Sequence, residues 1–324
     1  MCVKLIRQAI LGIALAVLGR MLNQGASPVI QFDGFKNAVV ALAYAPDGTR
    51  IAIADESSEI AVIDTVSGRT LSKLGSYEVA GSRMVWSPDG TQLYRLGNNA
   101  WVVSDGDGKN PRTIRADFSG CRQLALSPDG RVLALAGTGK VGTWATRDGK
   151  LMDEVEPHPN WRISHLAFSP DGKWLISASD DRAPRLLEFS GLKSIEPGLP
   201  GQEAKPVACE FHPVTGEILM LDRSARLHRF DPHTFKDRPV RVSGPEVQSM
   251  AISRDGKWIA LAGGSEVKVF EWSTGGWRRL QLTNTALGAR SVAISPDSRF
   301  IAVGDHDSRV RLWEIEKLEP LKAE

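Results

Sequence analysis

Apolar and polar residues alternate with a period of two along this chain, in short runs separated by turn-forming clusters. The clearest cluster reads APDG at Pro46, SPDG at Pro88, Pro128 and Pro170, HPVTG at Pro213, SRDG at Arg254 and SPDS at Pro296. Successive anchors lie 42, 40, 42, 43, 41 and 42 residues apart, so one segment is repeated seven times. Four residues before the anchor stand Leu42, Met84, Leu124, Leu166, Cys209, Met250 and Val292. Two before it stand Tyr44, Trp86, Leu126, Phe168, Phe211, Ile252 and Ile294, with small residues, mostly Ala, between the columns. That is the signature of a strand with one bulky face. Five residues after the anchor every copy carries Ile or Leu, from Ile51 to Ile301, which opens a second strand. A polar tip follows. Then comes a third strand ending at Ile63, Val103, Trp144, Phe189, Phe230, Phe270 or Trp313. A Gly-bearing turn leads to a fourth run such as WRRLQL.

Four short strands in every repeat, with no helical window after residue 22, predict an all-β fold. The expected architecture is a seven-bladed β-propeller with four antiparallel strands per blade. One blade cannot bury both faces of its own sheet, so the seven close into a single domain over residues 28–324. Ring closure is expected from Pro28 to Phe32, completing blade seven beside Val310–Glu314 and covering an open edge. The rival is the tail at 318–322, where Pro320 would remove a ladder donor.

SPDGKWLISASDD and SPDSRFIAVGDHDSRVRLWE are close to the consensus of the WD-repeat family, and the pattern resembles that family across residues 28–316. The diagnostic Trp-Asp appears only as Ile63-Asp64, Phe230-Asp231, Phe270-Glu271 and Trp313-Glu314. No Gly-His dipeptide precedes a first strand, so the family's buried Asp–His–Ser/Thr–Trp network is expected to be incomplete in every blade. Blade two looks more like the periplasmic propeller of the Tol system.

Charges nearly cancel, 40 basic against 38 acidic, so no global field points to nucleic acid. Cys2, Cys121 and Cys209 form no CxxC or His-paired metal spacing. Lys4 and Arg7 precede an apolar stretch over residues 9–19, and the first thirty-two residues hold no acid. This reads as a signal peptide or hydrophobic targeting segment over 1–27, and hence as export to a periplasmic or secreted location. A misassigned start would instead leave the protein cytoplasmic. Eleven helical residues reach roughly 16 Å against a bilayer core of about 30 Å, so no transmembrane span is expected.

There is no GxSxG, HExxH, P-loop or GxGxxG, and the six His residues occupy unrelated blade positions. Asp305-His306-Asp307 and Asp105-Gly-Asp107-Gly read as turn chemistry rather than metal loops. Cys209 behaves as a core apolar group, and Trp174 and Trp258 are expected to pack against neighbouring blades. One cluster stands out. Arg83, Arg122, Arg162 and Arg290 lie at the beginnings of innermost strands, where a propeller gathers them around one mouth of its channel. They form a candidate partner-binding rim, since Arg offers a planar fork of donors to carboxylate or phosphate. The bland alternative pairs them with acids at second-to-third-strand tips on that same face, such as Asp55, Asp180, Asp181 and Asp307. The expected protein is a non-catalytic scaffold binding a protein or peptide on one face, as a monomer, with no cofactor, metal or nucleic acid. Alternatives are a propeller enzyme of the lactonase or hydrolase type, or a detached regulatory domain of a separately encoded enzyme.

Overall fold

The computed structural model describes residues 28–75, 83–97, 99–116, 120–195, 199–242, 247–282 and 288–321. The expected leader at 1–27 lies outside the described residues. Seven antiparallel sheets follow one another around a ring. Blade one shows the plan: Val39–Tyr44 innermost, then Arg50–Asp55, Ile60–Asp64 and, outermost, Thr70–Leu74. The innermost strand of each later blade again begins the sheet, and its end is tied to the second strand by the repeated anchor turn, Pro-Asp-Gly in blades two to four and a variant of it in blades five to seven.

Those turns repeat in chemistry as well as in sequence. The Ser87 hydroxyl donates to Asp89 Oδ1 at 2.5 Å and accepts the Gln92 backbone N–H at 2.9 Å. Ser127, Ser169, Ser253 and Ser295 make the same two bonds in their blades. The Asp carboxylate also accepts the N–H two residues on, as from Arg131 and Lys173. The serine hydrogen bond, with these backbone donors, holds the Asp89 carboxyl down at about 2 and lowers Asp129 and Asp171 in the same direction. The residue after Asp takes a left-handed conformation, φ 73° at Gly130, and a methyl group there would meet Pro88 of the preceding blade at 2.9 Å. Ser298 holds that position in blade seven at φ 60°, a strained geometry for a residue with a Cβ.

Apolar side chains interleave between blades. Phe32, Val310 and Leu312 of blade seven pack with Val39, Ile51 and Ile53 of blade one. Trp258 of blade six joins Val292, Ile301 and Trp313 of blade seven, and Trp174 packs against the cluster holding Cys209 and Phe211 of blade five. Both tryptophans thus serve the blade interfaces. Cys209 is buried in that core, and Cys121 and Cys209 are both free thiols.

Ring closure follows the first expectation. Ile30–Phe32 runs antiparallel to Val310–Glu314, with Ile30 opposite Leu312 and Phe32 opposite Val310. The chain's C-terminal strand does something else: Glu319–Pro320 adds a fifth strand outside Trp277–Gln281 of blade six. Proline is tolerated there because it occupies an edge. Two third-strand positions need correction. Strand register places Ser104 opposite Leu93 and Leu187 opposite Leu175, so these, rather than Val103 and Phe189, occupy the column of Ile63 and Trp313. Unequal tips between second and third strands shift that column, and tip length is the least regular part of the repeat.

Candidate functional site

The innermost strands surround a central channel with a cavity volume of about 1290 Å³. Arg83, Arg122, Arg162 and Arg290 all line it, together with Arg223, Glu56, Asp180, His165 and Glu210. The four arginines singled out from sequence therefore converge, each carried at the beginning of an innermost strand on one side of the ring.

Their pairing follows the bland alternative at one position, where Arg290 meets a tip acid of blade one, while Asp55, Asp180 and Asp181 turn elsewhere. Arg290 meets Glu56 of blade one at 2.9 Å, bridging the seam where the ring closes. Asp180 goes to Lys205 at 3.3 Å, and Asp181 to His158. Asp55 closes its own tip, accepting from the Ser57 and Glu59 N–H groups at 2.9 and 3.1 Å. A short Asp side chain reaches its own backbone more readily than a side chain on another strand. Among the described residues, Arg122, Arg162 and Arg223 form no ion pair, and all three are exposed.

Asp222 and Asp305 close their tips in the same way as Asp55. Their second oxygens turn to the third strand: Asp222 meets His228 at 3.2 Å, and Asp305 meets Arg311 at 2.7 Å, each partner six residues on. The Asp305-His306-Asp307 triplet is turn chemistry, as expected, and so is Asp105, which accepts the Lys109 N–H at 2.6 Å. Among the described residues no group of three His, Cys, Asp or Glu side chains is placed to hold a metal ion.

Sequence reasoning missed the partners of His158. This residue is fully buried; Nδ1 lies 2.8 Å from Asp181 Oδ2 and Nε2 lies 2.9 Å from Ser177 Oγ. A carboxylate only accepts, so Nδ1 carries the proton and Nε2 accepts from the serine hydroxyl. Three members of the family network are thus assembled in blade four without a Gly-His dipeptide, since Pro157 precedes the histidine. The fourth position is Leu187, and the network stops there. Also missed was Glu210, although it stands in a column otherwise filled by Ala or Val, from Ala43 and Val85 to Ala293. Burial pushes its carboxyl up to about 7, against the opposing pull of Arg83.

Against known families, the profile of the WD domain, G-beta repeat, matches residues 149–186 and 282–314. The first segment runs from the outermost strand of blade three to the start of the third strand of blade four and contains His158, Ser177 and Asp181; the second holds the first three strands of blade seven. The chain is a seven-bladed β-propeller with WD repeats recognisable in these two segments. Among curated proteins it resembles target of rapamycin complex subunit wat1 of Schizosaccharomyces pombe, 24% identical over 64% of this chain and 68% of that protein. Target of rapamycin complex subunit LST8 of Bos taurus is 23% identical over 62% of the chain and 65% of its own length. An uncharacterised WD-repeat protein of Synechocystis is 28% identical over 50% of this chain but only 36% of that protein. The matched region thus spans from about a third to two thirds of these relatives. No helix among the described residues is long and apolar enough to cross a membrane.

Proposed function

We propose that this WD-repeat propeller is a non-catalytic scaffold whose arginine-bearing mouth binds an acidic region of a protein or peptide partner. The observation that carries the reading is the gathering of Arg83, Arg122, Arg162 and Arg290 at one mouth, with Arg122 and Arg162 free of ion pairs among the described residues. Two of the relatives are named as subunits of protein complexes, which agrees with it. An acidic group at such a mouth would meet several guanidiniums at once. Binding of this kind is screened by salt beyond roughly 8–10 Å at 0.1–0.15 M.

The test is affinity capture from the native host. Replacing Arg122 and Arg162 together by alanine should reduce recovery of the partner at least tenfold. The melting curve should stay nearly unchanged, since surface charges contribute only about 0–1 kcal/mol each. Arg290→Ala should lower stability by at most about 1 kcal/mol, because its bond to Glu56 across the closing seam is half exposed. Full recovery of the partner by the double variant would refute the rim.

The basic, acid-free leader supports export as the cellular setting. Mass spectrometry of protein from the native cell should find a new N terminus between about residues 24 and 28. An intact Met1 in the soluble cytoplasm would exclude it.

A further inference from the structure

Beneath the mouth, the channel holds a second group of charges drawn from three blades. Arg83 of blade two reaches to 3.5 Å from Nδ1 of His165 of blade four, across the width of blade three. Glu210 of blade five belongs to the same group, since it and Arg83 act on one another electrostatically. His165 stands two residues inside its strand, Ile163–Phe168, and Glu210 four residues inside Pro206–Phe211. At about 3.3 Å per residue, both lie well below the mouth.

The charges here do not balance. Of the acids lining the channel, Glu56 is taken by Arg290 and Asp180 by Lys205. That leaves Glu210 facing Arg83, Arg122, Arg162, Arg223 and Arg254. His165 supplies no further charge: burial drives its pKa well below normal, and Arg83 and Arg162 add to the effect. A neutral imidazole accepting from Arg83 at Nδ1 keeps its proton on Nε2, which makes it a donor as well. Like charges crowded between low-dielectric walls repel one another strongly, and an anion that enters relieves this.

We propose that the channel is a binding site for a small tetrahedral dianion of the sulfate or phosphomonoester type, held by Arg83 and Arg162 with His165 between them. The cavity, about 1290 Å³, also has room for the organic part of a phosphorylated small molecule. Glu210 competes with the anion for Arg83. Its proton governs affinity: with the carboxyl raised to about 7, the site is more positive at pH 6 than at pH 8. The other charged groups lining this space are Arg122, Arg223, Arg254, Arg290, Glu56 and Asp180. Arg83 and Arg162 also belong to the rim, but sulfate binding is measured on the purified chain without a protein partner, so its failure is distinguishable from failure of partner capture.

Sulfate is the probe, because its charge stays at −2 over this pH range. Calorimetric titration of the full chain with sulfate, at ionic strength fixed with chloride, should show one saturable site. Arg83→Gln should weaken it at least tenfold. Wild-type affinity should rise several-fold from pH 8 to pH 6, whereas Glu210→Gln should bind at pH 8 as tightly as the wild type does at pH 6. Glycerol 3-phosphate at pH 8 should compete for the same site. If Arg83→Gln does not fold, Arg162→Gln carries the same expectation. No saturable heat with sulfate, or an unchanged affinity in the arginine variant, would overturn the proposal. Absence of competition by glycerol 3-phosphate would remove the phosphomonoester class.

Discussion

Phe32→Ala will lower stability by about 3–5 kcal/mol, the usual cost of emptying a buried phenylalanine site. In melting temperature that is roughly 5–10 °C. The side chain is only 4% exposed and sits among Val39, Ile51, Val310 and Leu312, so it joins blade seven to blade one. Deleting residues 28–34 should cost more still. It removes the ladder bonds of Ile30–Phe32 and leaves Val310–Glu314 as an unpaired edge. Deleting residues 319–324 is the control. It strips only the extra strand of blade six and should shift melting by no more than about 2 °C. A larger loss from the C-terminal deletion than from the N-terminal one would show that the ring is held closed elsewhere.

His158→Ala will cost about 2–4 kcal/mol, because Ser177 and Asp181 each lose a partner inside the fold and a cavity replaces the ring. This residue also makes stability depend on pH. Burial depresses its pKa, and the hydrogen bond to Asp181 only partly opposes that. A depressed folded-state pKa means stability is fully present above the unfolded value of about 6.5 and is lost as pH falls toward the folded one. The slope can reach about 1.4 kcal/mol per pH unit for each such histidine. Urea melts at pH 7.5 and 5.0 should therefore show the wild type weakening on acidification. His158→Ala should keep a smaller slope, with His165 supplying part of the remainder. Equal slopes in the two proteins would show that His158 is already protonated in the folded state.

The blades were legible in the sequence because each copies one physical solution. A Ser-x-Asp turn fixes the hairpin in five of the seven blades, and two bulky columns mark the face that packs, as Leu42 and Tyr44 do in blade one. The closing strand was legible for a related reason: Ile30 and Phe32 alternate like any other strand and sit where a fourth strand belongs. What the pattern could not show was pairing across the ring. His158 finds Asp181 by the approach of two tips in space, and its neighbour Pro157 hides it from any search for Gly-His. Arg290 finds Glu56 only because the last blade meets the first. Glu210 was visible as a carboxylate in an alanine column, but its partner Arg83 lies three blades back along the chain. The arginine rim was legible as position. The freedom of Arg122 and Arg162 from ion pairs with tip acids was not, since that rests on where short side chains turn.

The seam also has a bearing on how the chain comes to be folded. Ile30 is among the first residues of the domain to be synthesised, and its partner Leu312 among the last. The ring therefore cannot close while the chain is still being made. Until blade seven is complete, Val39–Tyr44 of blade one lacks the neighbour it packs against. Pairings this distant in sequence form slowly, because the loop they close must be ordered first. The newly made chain thus passes through an open, incompletely packed ring, a state that aggregation would threaten.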